Sequence, residues 1–243
     1  MIDIPTIVRQ KNGEEKNFKP LAITAVESTY FEKTEIQFSH YDPLYGNNPS
    51  EIWNSLKFDP SLAVISNSAL ANDDPFGPPD RGFKIEDFKA TDDPEAWRTI
   101  SLQIRPSRGG EDILERNVIA VIDPIADSLD DWERGSYLIT ASDVILPLTS
   151  KNLPFDTFQI RLSPESSKTA SDIVPLLETE FLYYGLDAVS TAELIETSQA
   201  QSNAFTQLFQ GFMGLGLVVG VAAIGVLSIS CLLYTSDAAD ERS

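Results

Sequence analysis

His40 is the only imidazole in this chain, so any serine hydrolase chemistry of the Ser-His-Asp kind would have to be built on it. No Gly-x-Ser-x-Gly turn accompanies a serine, and the polar, proline-rich stretch that follows places residue 40 at a surface turn. Carboxylates gather at Asp73, Asp74 and Asp80, at Asp92, Asp93 and Glu95, and at Asp127, Asp130, Asp131 and Glu133. Such groups bind calcium or move protons. Their spacing does not match an EF-hand loop, however, and the two Asp-Asp-Pro sequences are turn formers, so solvated loops are expected. Cys231 stands alone, which excludes an intrachain disulfide and a thiolate metal cluster. No G-x-x-x-x-G-K-[ST] loop is present to hold a nucleotide. The sequence therefore yields no catalytic residue, no cofactor-binding residue and no metal ligand. Phe83, Phe88, Trp97 and Trp132 are large enough to line a pocket, but filling a core is their expected role.

The formal charge is −19, from 37 acidic against 18 basic residues. Such a surface repels a phosphate backbone and argues against nucleic acid as a partner. The charge is unevenly spread. No charged residue occurs from Thr197 to Ser236, and Leu208 to Ile229 is almost wholly Leu, Val, Ile, Ala, Phe, Met and Gly. As a helix those residues would rise about 33 Å, enough to cross the hydrocarbon of a bilayer. A buried helix of a soluble domain would show a polar stripe over that length. Glycine at 211, 214, 216, 220 and 225 costs about 1 kcal/mol each in a water-exposed helix but is common in membranes. Gly216 and Gly220 form a small-xxx-small pair, continued by Ala222 and Ala223, and are the candidates for packing against other membrane helices. Orientation is not readable from basic residues, because none lies between Thr169 and Glu241.

Residues 1–195 read as a mixed α+β domain. Strand-forming runs occur at 21–29, 34–39, 62–70, 99–106, 117–123, 135–142 and 156–163, separated by Pro, Asp and Asn turn clusters. Ile173, Leu176, Leu177, Phe181 and Tyr184 share one face of a helix that Gly185 would stop, with Pro175 set to kink it or delay its start. The run at 156–163, that helix and residues 186–190 together predict a β-α-β unit. Thr191 and Glu193 then open a further helix, and no breaker separates it from the apolar segment. One continuous helix is expected to join domain and membrane. The predicted fold is thus α+β, a domain with a β-α-β unit followed by one long transmembrane helix.

The run LLETEFLYYGLDAVSTAELIETSQAQSNAFTQLFQGFMGLGLVVGVAAIGVLSIS resembles the junction between the extracytoplasmic domain and a membrane helix in FtsX-like (MacB-type) permease subunits of prokaryotic ABC transporters. DPSLAVISNSAL and NVIAVIDPIAD with GSYLITASDV resemble segments of the same domain, and the likeness spans about residues 50 to 230. It implies a plasma (inner) membrane protein with residues 1 to about 200 extracytoplasmic. Its implied partners are a separate ABC ATPase, the lipid bilayer, and other membrane helices of the same permease or a second copy. Motion driven by the ATPase would pass to the outer domain for export or extraction of substrate, with no catalytic residue in the permease itself. On this reading the chain divides into 1–195, a connecting and transmembrane helix at 196–230, and a tail at 231–243. The tail, CLLYTSDAADERS, resembles translated sequencing-adapter sequence and is expected to be non-native. Met1 follows no signal peptide, so the natural start is expected upstream. A single-pass anchored binding or sensor module is the alternative function.

Overall fold

The computed structural model describes residues 1–71, 82–86, 88–107, 112–123, 135–151, 153–163 and 165–240. The chain divides into two compact units, Met1–Arg161 and Leu162–Ser243. The expected domain boundary at 195 falls inside a helix of the second unit.

Seven strands build the first unit: β1 (Ile2–Gln10), β2 (Lys19–Val26), β3 (Phe38–Tyr41), β4 (Leu62–Ile65), β5 (Ile100–Pro106), β6 (Leu114–Ile122) and β7 (Tyr137–Ala141). Their pairing runs β6-β4-β7-β2-β1-β5 and returns from β5 to β6, closing a six-stranded barrel. β3 joins β6 at residues 120–122, beyond the 114–118 stretch that β5 occupies. β2 with β7 and β4 with β6 are parallel, and the other pairs are antiparallel.

Period-two alternation sorts the side chains between two cores. Ile2, Ile4, Val8, Leu21, Ile23, Ala63, Ile65, Leu102, Ile104 and Leu138 fill the barrel. Leu62, Val64, Ile119, Ile122, Tyr137 and Ile139 face outward, where α1 (Ser28–Lys33) and α2 (Pro49–Phe58) cover them with Phe31, Ile52, Trp53 and Leu56. β4, β7 and the 118–122 end of β6 are consequently buried on both faces, which is why those stretches are predominantly apolar. β6 breaks its own alternation. The register with β4 slips so that Ala63 opposes Val118 and Val64 opposes Ala120, leaving Ile119 extra. This bulge lets Ile119 and Ala120 both face the helices while Val118 and Val121 face the barrel.

Pro5 within β1 is accommodated by the same register logic. It pairs with Ala22, whose N–H donates away from β1 to the Ser136 carbonyl, so the proline nitrogen faces the other side. There β5 has already ended at Pro106 opposite Thr6, and no ladder hydrogen bond is lost.

Three expectations are corrected. Residues 156–163 and 186–190 are not strands, so the β-α-β unit does not form. The 153–163 stretch instead packs Leu153 and Phe155 against the core, and the Asp156 and Thr157 N–H groups donate to the Met1 carbonyl. The run at 62–70 ends as strand at Ile65 and turns through a short 3-10 segment at Asn67–Ala69, because Ser66 Oγ and the Ser66 N–H turn to β7, at Tyr137. The run at 34–39 supplies strand only from Phe38, since Ile36 and Gln37 turn toward Trp53 and Asp123.

A short α3 (Ile145–Thr149) follows β7. The second unit holds α4 (Ala170–Glu180), which starts at a Thr169–Asp172 capping box and carries Pro175 inside it without a break. A 3-10 turn follows and ends at Gly185 in the left-handed region, φ +69°, so the predicted glycine stop is met. α5 then runs unbroken from Thr191 to Asp240, about 75 Å of helix. The expected continuous helix is thus found.

Trp53 is the hub of the helix-covered core: it stacks on Phe31 at 6.0 Å, meets Tyr30 and Phe38, and donates Nε1–H to the Ile36 carbonyl at 3.0 Å. Trp53→Ala is expected to lower unfolding stability by about 3–5 kcal/mol, measured by denaturant titration of the purified chain.

Candidate functional site

Polar groups buried in the barrel unit are the first place to seek chemistry. His40 is one, and its expected surface position is corrected. It lies on β3 with 3% of its surface exposed, edge-on to Phe88 at 5.2 Å. A strand at the barrel's flank buries it because the segment 88–97 folds back over that strand. Nε2 lies 3.3 Å from the Asp92 carbonyl, which can only accept, so Nε2 carries the proton and Nδ1 accepts from Ser39 Oγ at 2.9 Å. Burial pushes the imidazole pKa below its ordinary value, against the opposing pull of the Asp92 carbonyl and the Asp92 and Asp93 charges. A serine hydroxyl on an imidazole is the contact a nucleophile requires. Here the third partner is a backbone carbonyl, and the ring is enclosed.

Asp42 anchors the same crossing. It accepts from Leu44 N–H and from Thr99 N–H and Oγ1 at 3.1, 2.9 and 2.8 Å. Burial alone would raise its pKa, but these hydrogen bonds, with the Arg98 charge, hold it below the usual carboxylate range. Asp92 and Asp93 serve the turn as predicted: Asp93 caps the short 3-10 segment Pro94–Ala96 and Asp92 accepts from Lys89 N–H. Asp73, Asp74 and Asp80, and Asp127, Asp130, Asp131, Trp132 and Glu133, lie outside the described residues. Phe83 and Trp97 are buried and Phe88 packs partly buried against them, so these aromatics fill the core as expected.

At the barrel end where β4 and β6 begin, Arg116 is 4% exposed. Its Nε donates to Thr140 Oγ1, Nη1 to the Glu115 carbonyl, and Nη2 to Asp143 Oδ2 at 2.6 Å. Thr140 Oγ1 in turn donates a hydrogen bond to the Leu62 carbonyl. This guanidinium closes the barrel end as a paired group; nothing in the sequence pattern marked it, because Arg116 sits in an ordinary inward position of β6. An open cleft of about 600 Å³ beside the β1–β2 hairpin is lined by Arg9, Glu14, Glu15, Lys19, Lys84 and Glu86. Glu86 accepts from the Glu14 and Glu15 N–H groups, Lys84 donates to the Ser68 and Leu70 carbonyls, and Lys19 pairs with Glu15. Among the described residues no group of three or more His, Cys, Asp or Glu side chains is placed to hold a metal.

The feature left without satisfaction is in α5. Asn203–Ile229 is a 27-residue span whose most apolar 18-residue stretch has a mean hydropathy of 2.4, long and apolar enough to cross a membrane, and none of it is buried in the chain. Phe205, Phe209, Phe212, Leu217 and Leu227 are each about two-thirds exposed. Water-soluble proteins do not leave so long a strip of apolar surface uncovered. Gly216 and Gly220 lie within it with open space where a Cβ would stand, so close approach of another helix meets no obstruction from this chain. Comparison with protein-family models, with curated proteins and with solved structures finds no match.

The His40 environment predicts a pH dependence. The unfolded chain takes up a proton near the ordinary value of 6.5, while the folded imidazole resists it. Stability from this residue is therefore complete above about pH 6.5 and falls as the pH drops below it, by at most about 1.4 kcal/mol per pH unit. Between pH 6.5 and 5, His40→Gln is expected to lose less stability than the parent, measured by denaturant unfolding at each pH; equal slopes would contradict the buried, neutral ring.

Proposed function

We propose that this chain belongs to a membrane-spanning permease subunit of an ABC transporter, in which α5 carries motion across the membrane toward its extracytoplasmic end. The observation that carries the proposal is the continuity of that helix. Its first turns are polar, its residues 211–229 are predominantly apolar and uncovered, and no break in the helix separates the two. A helix of this kind resists bending over tens of ångströms, whereas a flexible linker would dissipate movement. The sequence likeness to FtsX-like permeases supplies the class of machine. In that reading a separate ATPase drives the motion, residues 1 to about 200 lie on the extracytoplasmic side of a prokaryotic plasma membrane, and Gly216 and Gly220 face other helices of the assembly. The barrel contributes stiffness: its strands are hydrogen-bonded around a closed ring, and its core is close-packed.

A single-pass anchored binding or sensor module is the second reading. It is favoured by one observation, that the described residues contain a single helix fit to cross a membrane. Rigid coupling separates the two. In a transporter complex with its ATPase, a Gly-Ser insertion after Ser198 is expected to leave ATP hydrolysis running while transport falls at least tenfold. Undiminished transport would contradict the lever, and absence of any associated ATPase on chemical cross-linking in the native membrane would favour the anchor.

A further inference from the structure

The outward-pointing face of β1 and β5 gathers positive charge that this acidic chain does not balance. Arg9 opposes Gln103 and Ile7 opposes Arg105 in the antiparallel register, so the two arginines are diagonal neighbours on one face of the sheet. That face is open: Pro5, Ile7, Arg9, Ser101, Gln103 and Arg105 all keep some exposure to solvent. Phe18, from the loop that leads into β2, lies against both arginines, whose Cζ atoms are 4.8 and 4.7 Å from its ring centroid. The ring holds the two guanidiniums in place through its negative face.

Neither guanidinium has a carboxylate partner among the described residues. Arg9 donates Nε–H to Gln103 Oε1 at 2.8 Å and Nη1 to the Lys16 carbonyl at 3.3 Å, which leaves Nη2 without an acceptor. Arg105 makes no hydrogen bond: its Nε is enclosed with no acceptor, and its Nη atoms are open to solvent. The carboxylates of the neighbourhood are engaged elsewhere. Glu115 pairs with Lys11 and orients Gln103, Glu15 pairs with Lys19, and Glu86 accepts from the Glu14 and Glu15 N–H groups. Glu14 lines the adjacent cleft with Arg9 but forms no ion pair with it. Like charges set diagonally across two strands repel each other, yet a chain with 37 acidic residues supplies no counter-charge to this pair.

We propose that Arg9 and Arg105 form a binding site for a phosphate monoester. Such a group carries about −1.5 to −2 charges at pH 7 and three acceptor oxygens, which suits two guanidiniums with open Nη donors. A single carboxylate would leave one of the two cations uncompensated. Lys16, exposed on the same loop as Phe18, adds positive charge nearby. The acidic surroundings add selectivity, because they repel a long phosphate backbone, whereas one phosphate group needs only the two arginines. The phosphate belongs to a soluble ester or to a lipid headgroup, and the chemistry of the contact is the same for both. The site lies wholly within the barrel unit and does not depend on how α5 is read.

Isothermal titration of the full chain in maltoside micelles tests the site, with inorganic phosphate, glycerol 3-phosphate and acetate as probes. Saturable binding of both phosphates and none of acetate is expected. Arg9→Gln and Arg105→Gln are each expected to weaken phosphate binding about tenfold, Arg105→Lys to recover part of the loss, and Lys33→Gln, on α1, to match the parent. Arg105 makes no hydrogen bond in the chain, so Arg105→Gln is expected to unfold at the parent's denaturant concentration and carries the test even if Arg9→Gln does not fold. Dihexanoyl phosphatidic acid distinguishes the sources: tighter binding than glycerol 3-phosphate identifies a lipid headgroup, equal binding a soluble ester, and each supports the site. No saturable phosphate binding by the parent, binding that folded Arg105→Gln retains in full, or acetate bound as tightly as phosphate would overturn it.

Discussion

An apolar helical surface some 40 Å long cannot stand in water, and the organisation of this chain follows from where that surface is placed. The span Asn203–Ile229 carries no charge, none of it is buried by the rest of the polypeptide, and its side chains project from every side of the helix. No amphipathic compromise is available: a soluble helix needs one polar face, and three amides at one end do not make one. A lipid bilayer removes the whole strip from water at once and satisfies the backbone within the helix itself.

The barrel unit meets the opposite problem with a self-contained solution. Its six ring strands satisfy one another, so no long hydrogen-bonding edge remains on them, and its buried polar residues are engaged locally. Arg116 is held by Thr140, Glu115 and Asp143, Asp42 by Leu44 and Thr99, and His40 by Ser39 and Asp92. Each of these lies where a loop or a second element folds over the ring. The same enclosure that stabilises them keeps them from the solvent a substrate would arrive through, and they read as structural pins of a stiff body.

Much of this was legible in the sequence and some was not, for physical reasons. The apolar span, its unbroken connection to Thr191, the glycine stop at 185 and strands at β2, β5, β6 and β7 follow from local composition and periodicity. β1 passes unnoticed because Pro5 interrupts its alternation; only the register against Ala22, with β5 already ended, explains why a proline is tolerated there. The signal for α2 was present: Asn48 accepts from Glu51 N–H, Pro49 opens the helix, and Ile52, Trp53 and Leu56 share its buried face. It lay hidden in a stretch whose Asn and Pro also spell a turn. Barrel closure depends on pairing β5 with both β1 and β6, contacts set by the whole chain rather than by any segment. The burial of His40 likewise depends on a loop fifty residues away. The candidate membrane helix was legible because its property is local; the polar pins were not, because theirs is tertiary.

Amide hydrogen exchange across residues 203–229, compared with and without lipid, tests the central claim most directly. Protection that appears in vesicles or detergent, from a chain that aggregates when both are withdrawn, is the predicted result. A monomer that stays in solution without detergent, its 203–229 amides already slow to exchange, would show that the polypeptide covers this surface itself and would contradict the account.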